Sequence, residues 1–110
     1  MPYPAALALT VVTEVPVYAA ALRLTCATAP GRTAPAAAMV NCVTHPLLWW
    51  FLRQVHGGGY WAAFAAAESA VVLAEGLLMS RALRLRGPLP YAASAAANAV
   101  SVLAGFLLLA

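Results

Sequence analysis

Four long apolar stretches make up most of this chain, and the polar residues that interrupt them fall at helical spacing. A helix that crosses a bilayer needs about 20 mainly apolar residues. Four segments fit: Ala5 to Cys26, Ala37 to Val55, Tyr60 to Ala82 and Leu89 to Ala110. Turn-forming segments separate them. Ala29-Pro30-Gly31-Arg32-Thr33-Ala34-Pro35 reads as a polar break, and His56-Gly57-Gly58-Gly59 as a tight hairpin turn. Arg84-Leu85-Arg86-Gly87-Pro88 reads as a basic break, with Pro88 or Pro90 near the first turn of the last helix. A membrane barrel needs about eight strands or more, which this length does not supply. Helices satisfy every backbone group internally, as hydrocarbon requires. The pattern predicts an all-α integral membrane protein, residues 1–110 forming a single domain of four transmembrane helices.

Composition sharpens this picture. At 65% hydrophobic and 8% charged, the chain lacks the polar residues a small soluble domain needs to cover its surface. The six basic side chains are all Arg and form no clustered stripe, so a nucleic-acid partner is not expected. Met1 to Ala5 lacks the basic region of a cleaved signal peptide. The first and third connections hold or flank Arg23, Arg32, Arg81, Arg84 and Arg86, against Arg53 and His56 at the middle one. The positive-inside rule then places the first and third connections in the cytoplasm and both termini outside. Trp49, Trp50, Tyr60 and Trp61 gather near the middle turn, as in an aromatic belt. The many Ala and the use of Arg over Lys point to a bacterial source and hence to a cell inner membrane.

The chain holds an apparent tandem repeat. A helix with a central Glu, Glu14 and then Glu75, is followed each time by an Asn-x-Val-Thr/Ser helix: Asn41-Cys42-Val43-Thr44 and Asn98-Ala99-Val100-Ser101. Two tandem hairpins entering from the same side would be related by a pseudo-two-fold axis along the membrane normal.

The candidate chemistry lies inside the apolar helices. Glu14, Glu68 and Glu75 are the only acids, and an intramembrane carboxylate is a functional-site candidate by default. Glu68 shares a helix face with Glu75. Asn41, Thr44 and His45 share one face of the second helix, and Asn98 and Ser101 form the related stripe on the fourth. His45 paired with Glu14 or Glu75 would make a titratable unit, since free His titrates near 6.5. Counting rise per residue from the Arg-rich ends puts Glu75 and His45 at roughly 10–12 Å and Glu14 at roughly 18 Å. Small residues, Ala62 to Ala70 and Ala92 to Ala97, predict close helix packing. Cys42 and His45 stand in no recognised metal frame, Cys26 and Cys42 make no disulfide framework, and Ser80 and Ser94 have no evident base. No catalytic residue, metal or cofactor is expected.

In size and span count the chain resembles a small multidrug resistance transporter, a family that also uses a membrane Glu in its first helix. The likeness is one of format: the family's later-helix motifs are absent, and His45-Pro46, Glu68 and the repeat depart from its pattern. The Glu-x-Pro string of the first span and the Asn-x-x-Thr-His-Pro string of the second also resemble small bacterial membrane proteins, a likeness that carries no function.

Two function classes follow. The first is a small homo-oligomeric transport protein, with Glu14, Glu75, Glu68 and His45 binding protons or a small cation and Asn41, Thr44, Asn98 and Ser101 lining or bracing the site. The alternative is an accessory or assembly subunit of a larger membrane complex, whose buried Glu, Asn and His residues bind partner helices. The expected partners are the lipid bilayer and either a second copy or other subunits of a complex.

Overall fold

The structure is a computed structural model that describes residues 3–109. Among these, four helices follow one another: α1 (Tyr3–Cys26), α2 (Pro30–Arg53), α3 (Tyr60–Leu83) and α4 (Leu89–Leu109). Each packs against its chain neighbours, and α1 packs against α4, which closes the four into a ring. The bundle measures 44 × 24 × 20 Å, and its long axis exceeds the roughly 30 Å of a hydrocarbon core.

The second helix begins at Pro30, well before the start expected near Ala37, and ends at Arg53 short of Val55. The Pro/Gly-rich segment read as a break is in fact the opening of the helix. Proline at the first helical position loses nothing, because its missing N–H would have no intrahelical partner there. The amides of Arg32 and Thr33 both bond to the Ala29 carbonyl, at 3.0 and 3.1 Å, which locks that first turn.

The connections at the arginine-rich end share one device. Ala27 and Arg84, immediately after α1 and α3, take left-handed backbone with φ of 52° and 55°. The chain then folds back, with Thr28 N–H on the Leu22 carbonyl at 3.1 Å and Leu85 N–H on the Ser80 carbonyl at 2.9 Å. Such closures satisfy the free carbonyls of a helix end. Arg32 adds a donor from α2, reaching the Leu83 carbonyl at 3.5 Å.

Three helices, Pro4–Cys26, Tyr60–Leu83 and Leu89–Leu108, are long and apolar enough to cross a membrane. The distribution of side chains agrees with a lipid surround. Leu24, Val12 and Leu107 lie 84, 69 and 74% exposed, while Glu14, Glu75, Asn41 and Ser94 are buried. In water that arrangement would be inside out. These features mark a membrane protein.

The dry core occupies one half of the bundle, toward the arginine-rich end. It consists of Tyr18 and Leu22 on α1, Ala37 and Val40 on α2, Met79 and Leu83 on α3, and Ala93 and Ala97 on α4. Here α3 and α4 approach so closely that a Cβ on Gly76 would run into the Tyr91 ring. The close packing expected of the alanines on α3 does not extend to its other half. Ala62, Ala65, Ala66 and Ala70 stay exposed, on the side of α3 away from the cavity that Phe64, Glu68, Val71 and Glu75 line.

Candidate functional site

The cavity begins where the dry core ends. It holds about 280 Å³ and takes its walls from all four helices. Helical spacing explains why the two halves differ so sharply. On α1, Glu14 is one turn from Tyr18 and Leu22 follows a turn later, so one stripe passes from cavity to core. On α3 the order runs Glu68, Val71, Glu75 in the cavity and then Met79 and Leu83 in the core.

All eight residues singled out in the sequence line this one space: Glu14, Glu68 and Glu75, His45, Asn41 and Thr44, Asn98 and Ser101. Glu75 is the hub. It is 1% exposed and accepts hydrogen bonds from every other helix. The Tyr18 hydroxyl on α1 donates to Oε1 at 2.7 Å, the Thr44 hydroxyl on α2 donates to Oε2 at 2.7 Å, and Asn98 Nδ2 on α4 donates to Oε1 at 3.1 Å. The Tyr18 bond spans the diagonal of the ring, since α1 and α3 are not packed neighbours.

Glu14 is equally buried, and Ser101 donates to its Oε2 at 2.6 Å. Among the described residues no hydroxyl or amide donates to its other oxygen, Oε1, and the Glu75 carboxyl lies close by. Residue counting along the helices sets Glu14 and Glu75 at different heights, yet side-chain reach brings the two carboxyls within range of each other. Glu68 is half-buried and lines the same cavity, near enough to both carboxyls to interact with them. The hydrogen-bond donors around Glu75 and Glu14 are hydroxyls and a primary amide, all of them neutral.

The two asparagines behave alike toward their own helices and differently toward the site. Asn41 Nδ2 donates to the Ala37 carbonyl at 2.8 Å, and Asn98 Nδ2 to the Ser94 carbonyl at 2.9 Å. Asn98 also reaches Glu75, whereas Asn41 Oδ1 is buried and accepts no hydrogen bond. His45 lines the same wall and stacks on Trp49, with ring centroids 6.5 Å apart. Cys42, three residues before it, is exposed on the outside of α2, so the two do not converge.

Sequence reasoning missed Tyr18, whose ring is fully buried beneath the cavity while its hydroxyl holds Glu75. The available signal was its position one turn after Glu14. It also missed Ser94, buried and donating to the Val72 carbonyl at 2.8 Å, which ties α4 to α3 below the site. The apolar side of the cavity is built largely from Phe64 and Phe106, whose ring centroids lie 6.4 Å apart, with Trp61 packed 6.1 Å from Phe106.

Three further hollows share wall residues with the cavity. A hollow of about 160 Å³ shares Thr10, His45 and Gly105 with it and is lined also by Ala6 and Leu52, at the end opposite the arginine-rich connections. A groove of about 400 Å³ between α2 and α3 shares Thr44, Leu48 and Val71. Another of about 460 Å³ between α3 and α4 shares Glu68, Asn98 and the two phenylalanines.

In comparisons with protein-family models, curated proteins and solved structures, nothing matches this chain.

Proposed function

We propose that this chain is a small homo-oligomeric membrane transport protein in which Glu14 and Glu75 bind protons or a small cation. One observation carries the reading: two buried carboxyls from diagonally opposed helices converge on a cavity, with hydroxyls and a primary amide donating to them. Two acids close together in apolar surroundings require a proton or a cation. Packing devices do not need a cavity beside them; exchange sites do. Glu68 and His45 flank the path, and Asn41, Thr44, Asn98 and Ser101 position the acids.

The proposed architecture is four spans in two tandem hairpins. α2 is the least apolar helix, but Asn41 and Thr44, two of the residues that make it so, face the interior. Its outer surface carries Met39, Val43, Leu47, Trp50 and Phe51, a face suited to lipid. The pseudo-two-fold relation is supported by a reciprocal exchange of hydrogen bonds. Thr44 of the first hairpin donates to Glu75 of the second, and Ser101 of the second donates to Glu14 of the first. A second copy would close the lateral grooves. With the arginine-rich end in the cytoplasm of a bacterial cell, the dry core seals the inner side and the cavity faces outward.

Purified protein reconstituted in vesicles tests this. It should dissipate an imposed pH gradient in a cation-dependent manner, and Glu14→Gln with Glu75→Gln should reduce that flux to the level of protein-free vesicles. Unchanged flux in the double variant overturns the proposal. Isolation from native membranes in fixed ratio with foreign subunits would favour an accessory role.

A further inference from the structure

We propose that an anionic phospholipid docks on the seam between α2 and α3, with its phosphate on Arg32, Arg81 and Arg84 and an acyl chain in the groove below them. This stands on the membrane character of the fold and is independent of the transport reading.

The charge at one end of the bundle calls for a partner from outside the chain. Arg23, Arg32, Arg81, Arg84 and Arg86 all lie exposed at the end where α1 and α3 finish. The chain's three acidic side chains line the cavity in the other half, so none of them balances this charge. The fold also draws two of the arginines together from distant parts of the chain. Arg32, in the first turn of α2, places Nη2 at 3.5 Å from the Leu83 carbonyl, which belongs to the peptide group joined to Arg84. Arg84 holds left-handed backbone, φ 55° and ψ 43°, at a helix end where glycine fits with less strain. Strain of this kind gathers at ligand clamps. A guanidinium carries five N–H donors, and Arg32 uses one on the carbonyl. The others suit a phosphate, which guanidinium groups bind through paired hydrogen bonds.

The seam below supplies a place for a tail. An apolar groove of about 400 Å³ lies between α2 and α3, with Leu47 and Phe51 on one wall and Ala66, Ala70 and Ala74 on the other. Ala70, Ala74, Leu77 and Arg81 recur every three or four residues, so one stripe of α3 leads from groove to arginine. Leu77 is exposed along the way. From Arg81 the distance along the helix is roughly 10 Å to Ala74 and roughly 16 Å to Ala70. A lipid tail covers half of a hydrocarbon core, about 15 Å, and so ends in the groove. The occupant that uses both features has an anionic head and an apolar tail at this separation. The groove between α3 and α4 is left to the second copy.

The test uses the full chain in mild nonionic detergent, with bound lipid counted by mass spectrometry of the intact complex. The probes are phosphatidylglycerol, phosphatidylcholine with the same acyl chains, and glycerol phosphate as the head alone. Phosphatidylglycerol should bind about tenfold or more tightly than phosphatidylcholine, whose choline cancels the phosphate charge. Arg32→Gln with Arg84→Gln should remove that preference, and Arg81→Gln alone should weaken it. Arg53→Gln, at the opposite end, should leave it unchanged. Ala70→Trp, which fills the groove from an exposed position, should weaken phosphatidylglycerol binding. Equal affinity for the two lipids overturns the proposal, as does an equal loss in Arg53→Gln or no loss in Ala70→Trp. Displacement of the lipid by equimolar glycerol phosphate would reveal a simple anion site and overturns it too. So does a dimer that Ala70→Trp dissociates and phosphatidylglycerol leaves intact, since a second copy would then occupy the groove.

Discussion

The two halves of this bundle are built from the same four helices and differ in what their inward stripes carry. Toward the arginine-rich end the stripe is Leu22, Val40, Met79, Leu83 and the small Ala93 and Ala97, which pack together as the buried core. Toward the other end it is Thr10, Glu14, His45, Glu68 and Ser101, and the same helices enclose about 280 Å³. Side chains that pack on each other draw helices together, while polar side chains that bond sideways to one another hold them at a distance set by hydrogen-bond length. Tyr18 belongs to both halves: its ring fills the core and its hydroxyl reaches Glu75.

Truncating side chains in the sealed half should break this contrast most strongly. Leu22→Ala or Met79→Ala removes a fully buried side chain and should cost about 2–5 kcal/mol. Leu48→Ala, beside the cavity, should cost clearly less, because part of its surface already meets empty space. Thermal unfolding in one detergent, measured side by side, checks the pair. The core variants should also make vesicles leak, since they thin the seal.

The boundary between the halves is open to a finer test. Tyr18→Phe keeps the ring and removes the one bond to Glu75 that crosses the bundle diagonal. It should destabilise by about 1–3 kcal/mol. Combined with Glu75→Gln, the loss should be smaller than the sum, as expected for two groups in contact.

Two glycines probe the same contrast through space alone. Gly76→Ala places a Cβ against the Tyr91 ring and should cost about 1–3 kcal/mol. Gly105→Ala, at the cavity, meets nothing within 4 Å and should be neutral or slightly stabilising. Equal effects would mean that the halves are packed alike. A modest gain should come from Ala27→Gly and Arg84→Gly, which relieve left-handed backbone at the two helix ends and should each stabilise by about 1 kcal/mol.

Much of the site was legible because hydrocarbon makes polar residues conspicuous. Glu14, Asn41, Asn98 and Ser101 stand out in apolar surroundings without any knowledge of packing. Tyr18 did not, because a tyrosine in an apolar helix is most simply read as apolar bulk; only the placement of α1 opposite α3 gives its hydroxyl a partner. The start of α2 was misplaced because Pro-Gly marks breaks and helix beginnings alike, and the bonds from Arg32 and Thr33 to Ala29 decide between them. The depths of Glu14 and Glu75 were read from the backbone rise, which takes no account of the reach of a long side chain.

By itself, the sequence determined that the chain forms long helices, where most of them end, and which few polar groups they must bring inside. Those properties follow from local hydrogen bonding and from the cost of polar groups in an apolar medium, both readable one segment at a time. Only the tertiary structure decided that Asn98 reaches Glu75 while the Asn41 oxygen stays open to the cavity. It also decided that α3 and α4 approach so closely at Gly76 that a Cβ there would meet the Tyr91 ring. Those outcomes depend on the separation and rotation of neighbouring helices, set by the fit of all four surfaces together and carried by no single segment.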